Sequence, residues 1–374
     1  MASTPRASAP ASKLTFLLGK VDSPADGVRD YCEYLGGALE RHGFAGEIAR
    51  VDWFLEGWPL ALRKLWNDSR EWRGRWVVLQ FTAMGWSKRG FPLGAVAALR
   101  IVKRHGALCA VVFHEPVGLS GPRAIDRVRG ACQSWVVRKL HKLAEKSIFP
   151  TPLESIAWLP KSDPKAKFIT IGANVIGGSA TPVTGAQDEK KMRTVAIFCL
   201  SDPPCLREEL ADIAAAARVA KESGANFRLV FLGRGTFEAS AEIKQALSNI
   251  SVEYSNLGVV PAERVGAVLS DADAMLCVRG RVYPRRSSAL AGIASGLPLV
   301  GYAGEAENTP LADAGLVLVP YRDGAALGAA LARVLKDGGA LTGLRERSRR
   351  AYQQHFSWDS IAARVAAFLG AEKE

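Results

Sequence analysis

The strongest constraint on the fold is a rhythm of short apolar runs, each followed by a stretch with helical spacing. In the first half the runs are LTFLLG (14–19), WVVLQF (76–81), ALCAVVF (107–113), SIFPT (147–151) and FITIG (168–172). Runs this short and this continuously apolar read as strands covered on both faces, and strands separated by helices pair in parallel. Between the first two, Val28, Tyr31, Cys32, Leu35 and Leu39 recur at helical spacing behind the loop GKVDSPADG (19–27). The rhythm restarts with TVAIFCL (194–200), FRLVFLG (227–233), VEYSNLG (252–258), AMLCV (274–278), LPLVGY (297–302) and GLVLV (315–319), so a second parallel sheet is expected.

Between the two series, GGSATPVTGAQDEKKM (177–192) has almost nothing to bury and reads as a linker. With 374 residues and 48% hydrophobic content the chain can fill two cores. The expected organisation is α/β throughout. A flexible tail (1–12) leads to a Rossmann-like doubly wound domain (13–176), the linker follows, and a second Rossmann-like domain spans 193–356. A last helix (357–374) starts at Ser357, and its apolar face of Ile361, Val365, Phe368 and Leu369 is expected to pack back on the first domain. In doubly wound sheets ligands bind at the carboxyl ends of the strands, which directs attention to the loops there and to a cleft shared by the two domains.

No run of about 18 apolar residues is present, and MASTPRASAPASK lacks the apolar core of a signal peptide; a cytoplasmic protein is expected. The six cysteines include no CxxC pair, and Cys109, Cys199 and Cys277 fall in strand-like runs, which reads as reduced, buried thiols without disulfides or zinc. The net charge of +12 is lopsided: residues 1–180 hold 26 Lys and Arg against 15 Asp and Glu. An anionic partner of the first domain follows: a membrane surface, a phosphorylated acceptor or nucleic acid. Because the cations alternate with apolar core positions and no nucleic-acid motif accompanies them, nucleic acid is disfavoured. Two segments could meet an anionic membrane. The Trp-rich WPLALRKLWNDSREWRGRW (58–76) is the better candidate, set against a packed loop, whereas in the basic helix 123–146 the apolar stripe of Trp135, Val136, Leu140 and Leu143 is expected in the core.

FRLVFLGRG (227–235), NLGVVPAERVGAVLSDADAMLCV (256–278), ALAGIASGLPLVGYAGEAENTPL (289–311) and FSWDSIAARV (356–365) together resemble the donor domain of GT-B glycosyltransferases of the family 4 type. AVVFHEP (110–116), SIFPTPLE (147–154) and ITIGANV (169–175) resemble that family's acceptor domain more loosely, and LQFTAMGWSKRGFP (79–92) resembles a loop of a bacterial subgroup. The resemblance implies the GT-B fold and sugar transfer from a UDP- or GDP-linked donor, with retention. It also carries a departure. The family's Glu-x7-Glu pair, which contacts the donor's sugar and ribose hydroxyls, would fall at Tyr283 and Ala291, so both carboxylates are missing.

The residues offer another grip. Arg285, Arg286, Ser287 and Ser288 stand where the helix of residues 287–295 begins, and a helix start joined to arginines suits a diphosphate. The bland alternative is a capping Ser287 beside solvated arginines. Gly233 and Arg234 end a strand in a loop where backbone can approach a phosphate, or where a tight turn needs glycine. Arg207 lies near where many family members carry a basic residue toward the diphosphate; an exposed helix position explains it equally. His114 and Glu115 follow a first-domain strand and are the candidate catalytic pair, against a histidine that only fixes its loop. Gly19, Asp26 and Gly27 frame a loop that meets acceptor or donor, or merely caps a helix. Asp271 and Asp273 read as structural, no metal-ligand set is apparent, and no cofactor beyond the nucleotide-sugar substrate is expected. The function expected is transfer of a sugar to a glycan or lipid-linked acceptor, with peripheral contact at the inner membrane face. The rival is a GT-B pseudoenzyme serving as a binding subunit.

Overall fold

The computed structural model describes residues 12–20, 26–118, 121–174, 192–304 and 309–370. The tail up to residue 11, the linker up to residue 191 and the centre of loop 19–27 lie outside the described residues. The chain forms two compact units, one reaching Ile171 and resuming at Trp358, the other spanning Gly172–Ser357.

The first unit runs β1 (Ser12–Leu18), α1 (Gly27–Leu39), β2 (Phe44–Arg50), α2 (Trp53–Glu56), α3 (Trp58–Asp68), β3 (Trp76–Phe81), α4 (Leu93–Arg104), β4 (Leu108–Phe113), α5 (Ala124–Leu143), β5 (Lys146–Phe149) and β6 (Ala166–Phe168). The second contributes β7 (Arg193–Phe198), α6 (Cys205–Glu222), β8 (Phe227–Leu232), α7 (Ser240–Leu247), β9 (Glu253–Asn256), α8 (Ala262–Asp271), β10 (Ala274–Arg281), α9 (Ser287–Ala294), β11 (Leu299–Tyr302), β12 (Leu316–Val319), α10 (Gly324–Lys336) and α11 (Gly338–Ala351). α12 (Trp358–Gly370) then returns to the first unit.

Each unit is built on an all-parallel six-stranded sheet, ordered β2-β1-β3-β4-β5-β6 in the first and β12-β11-β10-β7-β8-β9 in the second. The continuous apolar runs are explained by two-sided burial. In β3, Val77, Leu79 and Phe81 join a core with Leu65, Leu99, Val136 and Leu140 from α3, α4 and α5, while Trp76 and Val78 join a second core with Tyr31 and Leu35 of α1 and Ile361 and Val365 of α12. Side chains alternate between the faces with a period of two, so both parities must be apolar. In the second unit, Gly292 lets α9 lie on the sheet, since a Cβ there would meet Met275 Sδ at 2.7 Å.

Several expectations change. β1 opens at Ser12, inside the segment expected as tail, and FITIG contributes only Phe168 to a strand, β6. β2 (FAGEIAR) had no apolar run to announce it: it is an edge strand with most residues exposed. The Trp-rich segment is packed rather than presented. Trp58 stacks between Trp53 (5.2 Å) and the fully buried Trp86 (6.5 Å), Trp66 meets His105 at 4.5 Å, and Trp72 and Trp76 are buried. Trp135, by contrast, is exposed, one residue or about 100° around α5 from the buried Val136. Among the cysteines, Cys32, Cys109 and Cys277 are buried free thiols, but Cys205 is exposed at the start of α6.

Candidate functional site

In the first sheet the strand order reverses between β1 and β3, and a cleft of about 400 Å³ opens at their carboxyl ends. It is lined by Gly19, Lys20, Asp26, Gly27, Gln80, Thr82 and His114 among others, so the expected loop and histidine share one cleft. Gln80 sits at the end of β3 on the α1 face, where its polar head is buried. Its Nε2 donates to Val78 O at 3.5 Å, and its Oε1 accepts from His114 Nε2 at 2.9 Å. The edge-to-face contact with Tyr31, at 5.1 Å, holds the ring. Burial pushes the Tyr31 phenol far above its usual range, so it stays neutral beside that imidazole.

Glu115 is directed elsewhere. Its Oε2 accepts from Ala83 N at 2.8 Å, which ties down the loop after β3 instead of pairing with His114. Asp26 lines the cleft and is also the cap of α1, its Oδ1 accepting from Val28 N (2.9 Å) and Arg29 N (3.3 Å), so the capping alternative holds for it. Gly19 is required by a close approach: Lys20 N donates to Gly85 O at 2.7 Å, and a Cβ on Gly19 would lie 2.2 Å from that oxygen. Trp53 Nε1 donates to the same oxygen at 3.0 Å. Gly19→Ala must therefore displace backbone and narrow the cleft. The expected result is a Tm lowered by several degrees together with loss of whatever ligand response the unmodified chain gives, read by thermal denaturation with and without ligand.

In the second sheet the order reverses between β7 and β10. Cys199 follows β7 in the left-handed region (φ +65°), a strained conformation for a residue with a Cβ. Gly233 and Gly235, at φ +91° and +79°, let the loop after β8 press against it: Leu200 N donates to Arg234 O at 2.9 Å, and a Cβ on Gly235 would lie 2.5 Å from Leu200 O. The tight-turn reading of these glycines is thus met. The loop after β7 is held from below by the buried Glu209, whose Oε2 accepts from Ser201 N at 2.9 Å.

Arginines gather on this crevice. Burial pushes the Cys199 thiol up, while the Arg234 N–H and the charges of Arg279 and Arg234 pull against it. Arg279 Nε reaches Ser201 Oγ at 3.4 Å. Gly280 (φ +70°) breaks the pleat of β10 and the register to β11 shifts, so Arg281 turns the other way, its Nη1 donating to Ala303 O at 2.8 Å. Arg285 and Arg286 lie over the Tyr283 ring at 5.7 and 4.7 Å, and Arg286 Nη2 lies 3.5 Å from where a Cβ on Gly280 would stand. Burial pushes the Cys277 thiol up to about 12, with the charge of Arg286 opposing it. Arg286 Nε is buried and has no hydrogen-bond partner among the described residues.

Ser287 is not the cap of α9: Arg286 occupies that position and its side chain makes no capping bond, leaving Ser287 in the first turn beside the buried Ser288. Arg207 is exposed in the first turn of α6. Asp273 is structural, binding Thr194 N (2.8 Å) and Arg193 Nη1 (3.0 Å) at the amino end of the sheet. Among the described residues no three His, Cys, Asp or Glu side chains cluster as a metal ion would need. Sequence reasoning missed Arg279, Ser201, Gln80 and Thr82. The polar Gln80 inside an apolar run was the available signal for one of them.

A Ser–His–Asp line also occurs in the first unit, with His141 bridging Ser147 Oγ (2.8 Å) and Asp163 Oδ2 (2.9 Å). Ser147 is wholly buried within β5, so the line fastens α5 to the sheet and offers no nucleophile.

The two parallel sheets with flanking helices are the two Rossmann-like domains of the GT-B fold. In sequence, no family model and no curated protein matches the chain. Among solved structures it is similar to HepE from Anabaena in complex with UDP and glucose, with 14% identity, a TM-score of 0.65, and 96% of this chain and 100% of that one covered. Sucrose-phosphate synthase from Thermosynechococcus elongatus is similar at 15% identity and a TM-score of 0.64, covering 96% and 98%. A putative UDP-N-acetylglucosamine 2-epimerase from Listeria monocytogenes has 12% identity and a TM-score of 0.60, with 96% of each chain covered. The likeness is one of fold over nearly the whole length. Because the named proteins differ in reaction, the chemistry of this chain has to be argued from its own side chains.

Proposed function

We propose that this chain is a glycosyltransferase that moves a sugar from a nucleoside-diphosphate sugar to an acceptor hydroxyl in polysaccharide or lipid-linked glycan assembly. The observation that carries the reading is the gathering of Arg234, Arg279, Arg285 and Arg286 at the carboxyl ends of β7, β8 and β10, with a buried Arg286 Nε left without a partner. A diphosphate supplies the acceptors such donors lack. Support comes from HepE, a protein of the same fold whose structures hold UDP and UDP-glucose, which makes UDP the first base to test.

In the reaction the bond between the anomeric carbon and the diphosphate oxygen breaks, its electron pair leaves with the nucleoside diphosphate, and the acceptor oxygen forms the new bond as its proton departs. Arg285 and Arg286, with the first-turn N–H groups of α9 beside Ser287 and Ser288, neutralise the leaving group, and Gly233, Arg234 and Arg207 extend that cradle. A guanidinium cluster does the electrostatic work that a divalent ion performs elsewhere, so turnover is metal-independent on this reading. Retention of anomeric configuration follows the family resemblance. His114 engages a sugar or acceptor hydroxyl through the ring that Gln80 and Tyr31 hold.

The second reading, a binding subunit without turnover, is favoured by Tyr283 and the buried Ala291 standing where the resembled family has carboxylates. A panel of nucleoside diphosphates and their sugars, read by thermal shift and then by diphosphate release with glycan acceptors, separates the two. The enzyme reading expects a shift with one base, release that persists in excess chelator, and about a hundredfold slower release in His114→Ala with its nucleotide shift kept. A shift without release on any acceptor gives the binding subunit, and no shift with any nucleotide sinks both.

A further inference from the structure

A surface helix packed on a core by one stripe ordinarily presents polar side chains on the opposite face. α5 does not. Its core stripe is Val136, Val137 and Leu140, yet Ala124, Val128, Ala131, Trp135, Arg138 and Lys142 are all exposed and follow one another at steps of four and three residues. That spacing makes them a single line along the solvent side. Val128 is 58% and Trp135 51% exposed, so the first four positions of the line are apolar and the last two cationic. Arg127 adds an exposed charge beside it, whereas the one acid of the helix, Asp126, is occupied by Arg129 at 2.7 Å. Beside the cationic end lies a cleft of about 840 Å³ lined by Arg138, Lys142, Lys165 and Trp158, with Asp163, its one acid, held by His141. The His141 bridge to Ser147 and Asp163 makes this end of α5 a fixed platform.

We propose that α5 is the surface by which this protein docks on an anionic membrane, with Trp135 and Val128 entering the headgroup layer and Arg127, Arg138 and Lys142 meeting lipid phosphates. Charge complementarity selects this occupant. The exposed Ile125, Val128 and Trp135, two alanines and one row of cations on a single helix provide too little area for a stable protein interface, which takes about 800 Å² per partner. A lipid surface rewards the same pattern, since each cation near it adds attraction and an indole sits at the boundary. The adjoining cleft has room for a phosphate-bearing headgroup. The inference stands apart from the donor reading, because no residue of the second unit enters it.

The test uses the full chain with vesicles of phosphatidylcholine alone and of phosphatidylcholine and phosphatidylglycerol in equal parts, the bound fraction being read by sedimentation. Binding is expected to the anionic vesicles only and to fall steeply with added salt. Trp135→Ser, and separately Arg138→Glu with Lys142→Glu, should each lower partitioning by about tenfold or more. Because all three positions are exposed, the variants keep the parental melting temperature. Leu55→Ser, at an exposed apolar position outside α5 (83% exposed), should bind as the parent does. Failure of the parent to bind anionic vesicles, parental binding by both α5 variants, or loss in Leu55→Ser alone overturns the proposal. Self-association of the parent that Trp135→Ser abolishes, without vesicle binding, would overturn it in favour of a second copy of the chain.

Discussion

Removing residues 358–374 is expected to unfold the first unit while leaving the second folded. α12 belongs to the first unit although it is last in the chain. It buries Trp358, Ile361, Val365, Phe368 and Leu369 in the core that also holds Leu14, Phe16, Leu35 and Val78. Trp358 stacks on Tyr34 at 5.6 Å and meets Tyr31 edge-on at 5.4 Å. At about 1.5–3 kcal/mol for each large apolar side chain, the loss is roughly 10 kcal/mol, as large as the whole net stability of an ordinary domain. The ion pair of Arg41 with Asp359 at 2.9 Å is exposed at both ends and adds little. Thermal denaturation followed by near-ultraviolet circular dichroism should show one cooperative transition gone and one kept. Ile361→Ala, which removes the centre of that face, should lower the first unit's stability by about 2–5 kcal/mol without unfolding it. A truncated chain that keeps both transitions would overturn this account of α12.

How far the sequence could be read depended on whether a signal was local. The strands β1, β3, β4, β7, β8 and β10 are buried on both faces, so their apolar runs stand out. β2 at the sheet edge carries no such run and was invisible. The tryptophans of 58–76 have the composition of a membrane-facing segment, and only the stack of Trp53, Trp58 and Trp86, joined across distant parts of the chain, reveals their packing. On α5 the apolar residues were assigned to one stripe when there are two. Trp135 and Val136 are neighbours in sequence about 100° apart around the helix, yet one is exposed and the other buried, a difference that depends on which side the sheet occupies.

The sites show the same division. The strand-end positions of His114 and of Gly233 followed from the rhythm of runs, and the helix start at Arg285–Ser288 from the serines and the apolar run behind them. What escaped was direction. Glu115 turns to the Ala83 N–H and so serves the loop after β3, and Arg279 and Arg281 part because Gly280 takes a positive φ between them. Neither orientation is encoded by residue type alone.

The arginines then yield the sharpest expectation for ligand binding. If the second crevice seats a nucleoside diphosphate, a concentration about a hundredfold above Kd adds about 2.7 kcal/mol to the second unit, which raises its melting temperature by about 5 to 10 °C. Replacing both Arg285 and Arg286 by alanine removes two charge-assisted contacts worth about 1.5–3 kcal/mol each, so affinity should fall by about a hundredfold or more and the shift should vanish. The unliganded melting temperature should hardly move, because Arg286 occupies the cap position of α9 without making a capping bond and Arg285 is exposed. Lysine at position 286 distinguishes charge from geometry. It keeps the cation but loses the planar fork, so an intermediate shift is expected if the guanidinium grips two phosphate oxygens, and a full shift if only the field matters. A double-alanine variant whose shift equals the parent's would remove the diphosphate from this crevice, and with it the observation on which the transferase reading rests.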